Sequence, residues 1–281
     1  MKVVCVVGES DSGKTSLVER LVPALDGRGR VATVKAIHHD VEVDEEGKDT
    51  YRHREAGAER VVGVTPSTRF EFLDHDGGGG KEEEIRRALD ELADAGFDYV
   101  LVEGFSGSSL PKLSVEEARP DVENVLLEGA GEKSTDALVD AVEDVDEHET
   151  LASLIQQAKD GPRSPEAGAV ATFTGRVREH NVEDGRTSHL EYEKYEDVAD
   201  QRMAEISDDL EARDGVFEVA MHHETGVVPA GEDAVHVVVL AGHRREAFRA
   251  VEDAIDRLKD EVPIFKKEVT ESGEFWTHER P

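Results

Sequence analysis

Residues 3–21 read VVCVVGESDSGKTSLVERL: five apolar residues, a glycine, and five positions later Gly13, Lys14 and Thr15. Val3 to Val7 suits a short strand buried on both faces. Gly8 to Gly13 offers backbone N–H groups that can point at phosphate oxygens. Lys14 adds a point charge for the β- and γ-phosphates, and Thr15 a hydroxyl for Mg²⁺. The helix expected from Lys14 to about Asp26 turns its positive end toward the same phosphates. Gly8, Ser10, Asp11, Ser12, Gly13, Lys14, Thr15 and Ser16 are thus the expected nucleotide-binding residues. A chance glycine turn is the bland alternative, and four fixed positions in a strand–loop–helix context speak against it.

Outward from this loop, VATVKAI (31–37) reads as a second strand, ending in HHD. A long polar segment follows, then TRFEFLD, and DHDGGGGKEEE runs into a helix. IRRALDELADAG has helical periodicity and a glycine stop at Gly96, and FDYVLVEGF is another buried strand. Strands alternating with helices indicate an α/β domain with a mostly parallel sheet. Acid-rich helical text is expected from there to about Ala158. GPRSPEAGA (161–169) then breaks the pattern. In a chain of 281 residues, two domains are expected, over 1–145 and 146–281, with the linker text at about 159–168.

The second half reads as α+β. AVATFTGRVRE and LEYEKY alternate as strands, and ADQRMAEISDDLEARDG is an amphipathic helix. EVAMHHETGVV and AVHVVVLAGH are strands. RREAFRAVEDAIDRLKDEV is a helix stopped by Pro263. FKKEVT and EFWTHER are short strands around a turn at 271–273.

The charge balance is 65 acidic to 33 basic residues, a net charge of −32. Such a surface makes nucleic acid or an anionic membrane a poor partner. The acid is dispersed and lysine is scarce, 12 against 21 arginines, as in proteins of the salt-loaded cytoplasm of halophilic archaea. Cys5 is the only cysteine, so no disulfide framework or cysteine metal cluster is expected within one chain. No signal peptide or membrane-length apolar run stands in the sequence, and a cytoplasmic protein is expected.

Asp40, just past the second strand, and Glu103, at the end of Tyr99–Val102, stand where acids approach Mg²⁺ together with Thr15. Strand-end acids facing water are the alternative. His38, His39 and His53 form no closed zinc set by spacing and read as solvated loop residues.

In the second half, Lys259, Lys266 and Lys267 fall within nine residues. Arg176 and Arg178 follow the glycine of FTGRVRE, His243 and Arg244 precede the helix that ends at Lys259, and Arg280 is next to last. Convergent donors of this kind suit phosphate or carboxylate. Pro263 turns the chain so that Lys259 and Lys266 can face one pocket, where an amine among other cations can serve as acid or base. Ordinary solvated lysines paired with the many acids are the alternative.

VVGESDSGKTS, KAIHHD, GKDTYRHREAGA and VLVEGF followed by PKLSV resemble the molybdopterin-guanine dinucleotide biosynthesis adapter, a MobB-type P-loop GTP-binding protein, over roughly residues 1–130. The resemblance implies GTP with Mg²⁺ and weak hydrolysis. No N-K-x-D motif reads guanine here, so guanine rests on the resemblance alone. Ser106 stands where that family usually has a lysine.

AGAVATFTGRVREHN, LEYEKY, HHETGVVPAGEDAVHVVVLAGHRREAF, LKDEVPIFKKE and GEFWTHER resemble the catalytic, large (MoaE-type) subunit of molybdopterin synthase over about residues 165–281. This implies an α+β domain of that subunit's type. It also implies transfer of two sulfurs to cyclic pyranopterin monophosphate from the thiocarboxylated Gly-Gly terminus of a small ubiquitin-like carrier protein. By matching motif, Lys266 is the central catalytic lysine and Lys259 the second. Phe173, Arg176, Arg178, His243, Arg244 and Arg280 fit the substrate and carrier pocket, with core packing open for Phe173. A homodimer is expected, and no resident metal or organic cofactor for this domain. Two other readings stay open: a nucleotide-gated adapter with an inactive synthase half, and a P-loop kinase acting on a pterin-like substrate.

Overall fold

The opening apolar run forms β1 (Lys2–Val7), the middle strand of a parallel sheet, in the computed structural model, which describes residues 1–37, 39, 41, 43–73, 80–181, 185–270 and 273–277. The chain divides into two compact units, Met1–His148 and Glu149–Pro281.

In the first unit β1 is followed by α1 (Lys14–Asp26), β2 (Val31–Lys35), α2 (Asp49–Glu55), β3 (Arg60–Val64) and β4 (Arg69–Leu73). Then come α3 (Gly80–Asp94), β5 (Tyr99–Glu103), β6 (Lys112–Ser114), β7 (Val125–Leu127) and α4 (Thr135–Glu143). The sheet runs β2-β5-β1-β6-β7, every pair parallel. The composition of β1 follows from its place. Val4 and Val6 pack with Leu17 and Leu21 of α1 and Leu138 of α4. Val3, Cys5 and Val7 pack with Ile85 and Leu89 of α3 on the other face. Side chains alternate between faces, so a strand covered on both must be apolar throughout. Cys5 is fully buried, and burial pushes its thiol up to about 11, so it is a packing residue.

Two parts of this unit differ from the sequence reading. The text expected to be helical up to Ala158 contains the strands β6 and β7. Three residues show no usable alternation, and these strands exist because β1 and then β6 present open edges to them. The polar stretch after residue 40 holds α2 and an antiparallel hairpin, β3–β4. The glycine-rich 74–79 segment lies outside the described residues.

The second unit opens with α5 (Leu151–Asp160), whose N-terminus carries a reciprocal Thr150–Ser153 capping box. It continues through β8 (Ala169–Arg176), β9 (His180–Asn181), β10 (Gly185–Lys194), α6 (Glu196–Glu211), β11 (Val216–His223) and β12 (Gly226–Pro229). The remaining elements are β13 (Asp233–Ala241), α7 (Arg244–Glu261), β14 (Ile264–Thr270) and β15 (Gly273–Thr277). Two antiparallel sheets result, β11-β13-β8 and β12-β10-β14-β15, with β9 on β10. Val235, Val237, Val239 and Ala241 of β13 share a core with α6 and α7. Val238 and Leu240 meet Leu154 and Ala158 of α5 on the opposite face. The Gly161–Ala169 segment runs from α5 to β8 inside this unit, held where Gly168 N–H donates to the Ala241 carbonyl. Among the described residues, no helix is long and apolar enough to cross a membrane.

Candidate functional site

The first site lies at the carboxyl end of β1, where open α/β sheets hold ligands. Gly13, at φ 97°, sits in the left-handed region and brings the chain into α1. A Cβ on Gly8 would lie 2.6 Å from Ser12 Oγ, so the loop closes this tightly only with glycine there. Lys14 Nζ donates to the Gly8 carbonyl at 3.1 Å and also to that of Glu9. Thr15 Oγ1 donates to Glu103 Oε1 at 3.0 Å. Lys35 Nζ is 3.0 Å from the same oxygen. Lys35 and Glu103 are register partners on parallel strands, so both strand-end side chains arrive at one edge.

Around them is a cleft of about 630 Å³, lined by Gly8, Ser10, Asp11, Gly13, Lys14, Thr15 and Ser16 and by Lys35, His39, Glu103 and Ser106. Ser12 Oγ is buried with no hydrogen-bond partner. A helix N-terminus, a lysine ammonium, an unpaired buried hydroxyl and a Cβ-free turn in one cradle fit a nucleotide's phosphates. The Thr15–Glu103 pair fits an accompanying Mg²⁺. Asp40 and His38 lie outside the described residues. His53, on exposed α2, does not line the cleft. Lys35 was not singled out from the sequence. The sequence reads that strand on to Ile37, which hides Lys35 as its end; in the structure Lys35 ends β2 as Glu103 ends β5.

The second site is a cleft of about 740 Å³ formed by β8, β10, β11, β13, α7 and β14. Lys259 enters from the last turn of α7 and Lys266 from β14, on either side of the turn at Pro263. Lys266 stands opposite Tyr192 in the β10–β14 register. Alternation puts Ile264, Lys266 and Glu268 on the cleft side. Lys267 points the other way, its Nζ 3.2 Å from Glu191 Oε2. Glu268 Oε1 accepts a hydrogen bond from Thr187 Oγ1 at 2.8 Å.

Phe173 both lines the cleft and packs against the α6–α7 core, so the two readings of it coexist. Arg178 is exposed and borders the cleft. Arg176 borders it too, and its Nε is 3.0 Å from Asp233 Oδ1, its register partner on β13. His243 and Arg244 are not brought here. His243 occupies the N-cap of α7 and Arg244 its first position, about 22 Å along the helix from Lys259 at ~1.5 Å per residue. Arg280 lies outside the described residues.

The sequence reading missed Tyr192 and His223, which line the cleft. The alternation of LEYEKY puts Leu190 and Tyr192 on one face, and both line the cavity. Nothing in the sequence aimed His223 there. Its imidazole is buried and held down to about 4, chiefly by desolvation. Burial also lowers His236, whose Nδ1 is 3.3 Å from Thr174 Oγ1. Among the described residues, no group of three or more histidine, cysteine and acidic side chains could hold a metal ion.

The family model for molybdopterin guanine dinucleotide synthesis protein B (MobB) matches residues 3–140, and that for the MoaE protein matches residues 142–261. The chain is 45% identical over 284 residues to a probable molybdopterin synthase of Haloferax volcanii, covering 100% of both chains. Its second half is 46% identical over 111 residues to the molybdopterin synthase catalytic subunit of Bacillus subtilis, covering 40% of this chain and 70% of that one. The crystal structure of molybdopterin synthase from Staphylococcus aureus aligns at 38% identity and a TM-score of 0.39, over 41% of this chain and 82% of that one. Identity sustained from end to end, across both matched models, means that the chain belongs to the molybdopterin synthase family of molybdenum cofactor biosynthesis, with a MobB domain ahead of its MoaE domain.

Proposed function

We propose that the second unit transfers sulfur from a thiocarboxylated ubiquitin-like carrier protein to cyclic pyranopterin monophosphate, giving molybdopterin. The observation that carries this reading is that Lys259 and Lys266 line one cleft with Arg178, in a chain of net charge −32. Such a cluster suits a phosphorylated substrate and a carrier's carboxyl-terminal tail. Each carrier arrives as a thiocarboxylate and leaves as a carboxylate, so one sulfur is exchanged for one side-chain oxygen of the pterin. Two carriers complete the dithiolene. Protons must move as sulfur attacks and oxygen departs. Lys266 is placed to give and take them, and Lys259 to hold the carrier's tail. Phe173 and Tyr192 provide flat apolar surface for the pterin ring.

A homodimer supplies what one copy's cleft lacks. His243 and Arg244 stand too far along α7 to serve their own Lys259, and a second copy can bring its pair to that cleft.

The first unit binds GTP with Mg²⁺ in this reading. Lys14 and the loop N–H groups hold the phosphates, and Thr15 and Glu103 stand at the metal. Bound Mg²⁺ would neutralise phosphate charge. The work is cytoplasmic, in a salt-loaded cell.

The test is to mix the full chain, in molar KCl, with thiocarboxylated carrier and cyclic pyranopterin monophosphate, and to follow molybdopterin as its fluorescent oxidised derivative. No product with active carrier sinks the sulfur-transfer reading. For the first unit, Lys14→Ala should lose Mg-GTP binding, and equal wild-type affinity for Mg-GTP and Mg-ATP would refute the guanine assignment.

A further inference from the structure

Of the cleft's charged side chains, all but Glu268 are donors. Lys259, Lys266, Arg176 and Arg178 carry no acceptor. Glu268 is an anionic acceptor, with Oε1 taking the Thr187 hydroxyl. His223 differs. Its Nδ1 is 2.8 Å from the Glu224 carbonyl oxygen. A carbonyl can only accept, so Nδ1 carries the proton and donates. In the neutral ring Nε2 is then a bare acceptor. No described residue donates to it. His223 is 9% exposed and borders the cleft. Tyr192 packs edge-to-face on it at 4.7 Å between centroids, which fixes its plane.

The ring stays neutral for a reason visible around it. Desolvation is the largest influence and holds its ionisation down to about 4. His222 on its own strand and Lys194 on β10 press the same way, while Glu224 opposes them. Lys266 and Glu268 of β14 share the cleft.

Resting on the sulfur-transfer reading, we infer that His223 is a specificity residue, a neutral acceptor that takes a hydrogen bond from a ring N–H of the reduced pterin. Phosphate and carbonyl oxygens of that substrate answer the lysines and arginines. Its ring N–H groups have no use for a cation and need an acceptor. A ligand of the same size with a bare acceptor at that position would face Nε2 lone pair to lone pair, and would be rejected.

Two variants in the full-length protein test this. His223→Phe keeps an aromatic ring against Tyr192 and removes the acceptor. His223→Gln restores an acceptor at a similar reach. For His223→Phe, the KM for cyclic pyranopterin monophosphate should rise about 10- to 100-fold. The KM for the carrier should not change, and kcat should fall less than tenfold. His223→Gln should recover most of the loss. The ratio of wild-type to His223→Phe kcat/KM should stay level between pH 5.5 and 8, because a neutral ring offers the same acceptor throughout. A folded His223→Phe with wild-type pterin KM overturns the inference. So does an equal rise in both KM values, which marks a general distortion. A ratio that climbs toward acid overturns it as well, since it marks a cation on phosphate. Equilibrium dialysis of the pterin reads the same loss without turnover. A wild-type chain that binds pterin but moves no sulfur defeats the parent reading, while the dissociation constants still judge His223.

Discussion

Lys259 and Lys266 line one cleft from two different elements, the last turn of α7 and the strand β14 that follows Pro263. A proline at that point ends the helix and commits the next residues to an extended path. The two amines therefore approach the cavity from different directions.

If Lys266 moves protons, its charge alone will not serve. Lys266→Ala should lower turnover by about 10²–10⁴-fold without unfolding the protein. Lys266→Arg keeps the charge but cannot release a proton near neutral pH. It should be nearly as inactive as alanine in the molybdopterin fluorescence assay. Substantial turnover by the arginine variant would leave Lys266 as a binding residue only.

The dimer proposal has its own signature. Lys266→Ala and Arg244→Ala, each inactive alone, should regain about a quarter of wild-type activity when mixed and allowed to exchange subunits, since half the dimers then hold one intact site. No recovery, with exchange verified, would place His243 and Arg244 outside the reaction.

Lys112 is wholly buried in β6 and donates to the carbonyls of Ser108, Leu110 and Glu123 at 2.6, 2.8 and 2.9 Å. It ties the loop before β6 to the segment before β7. Lys112→Met should cost the first unit roughly 3–5 kcal/mol, because three carbonyls lose their donor in a dry place. Denaturant unfolding should show this as an earlier first transition, and Cys5 should become accessible to thiol reagents there. An unchanged midpoint would mean the loop holds without it.

Where a second-unit fragment begins should matter. Residues 149–281 keep α5, with its Leu154 and Ala158 against Val238 and Leu240 of β13. A fragment starting at residue 161 exposes that face, and losing Leu154 alone forfeits roughly 1.5–3 kcal/mol of burial. The longer fragment should unfold in one cooperative transition, and the shorter should bind hydrophobic dyes or aggregate. Equal stability of the two would show that α5 contributes little.

Acid should loosen the second unit in a defined window. His223 has its ionisation held down to about 4, against an unfolded value near 6.5, so between these the unfolded chain binds more protons. Its contribution is complete above pH 6.5 and lost as pH falls toward 4, a change on the order of 3 kcal/mol. His236 is shifted the same way by burial. Comparing unfolding midpoints of wild type and His223→Phe from pH 4 to 7 isolates the His223 share, since surface carboxylates are common to both. Parallel curves would contradict the buried neutral ring.

The sequence by itself determined the P-loop, the strand β1 before it and the helix after it. Those features depend on contiguous residues: apolar text long enough to be buried, glycines where backbone must turn, and a lysine and a threonine at fixed offsets. It also determined the turn at Pro263 between the two cleft lysines. Tertiary structure alone decided the rest. β6 and β7 are too short to have a period of their own and form on edges supplied by β1 and β6. Lys35 meets Glu103 only because β2 and β5 lie side by side in one register, far apart in the chain. Arg244 looks close to Lys259 in a motif, yet a straight helix holds them apart, because α-helical rise turns sequence neighbourhood into distance. His223 enters the cleft because β11, β13 and β10 fold around it, and its neutrality comes from burial, which no local pattern of residues encodes.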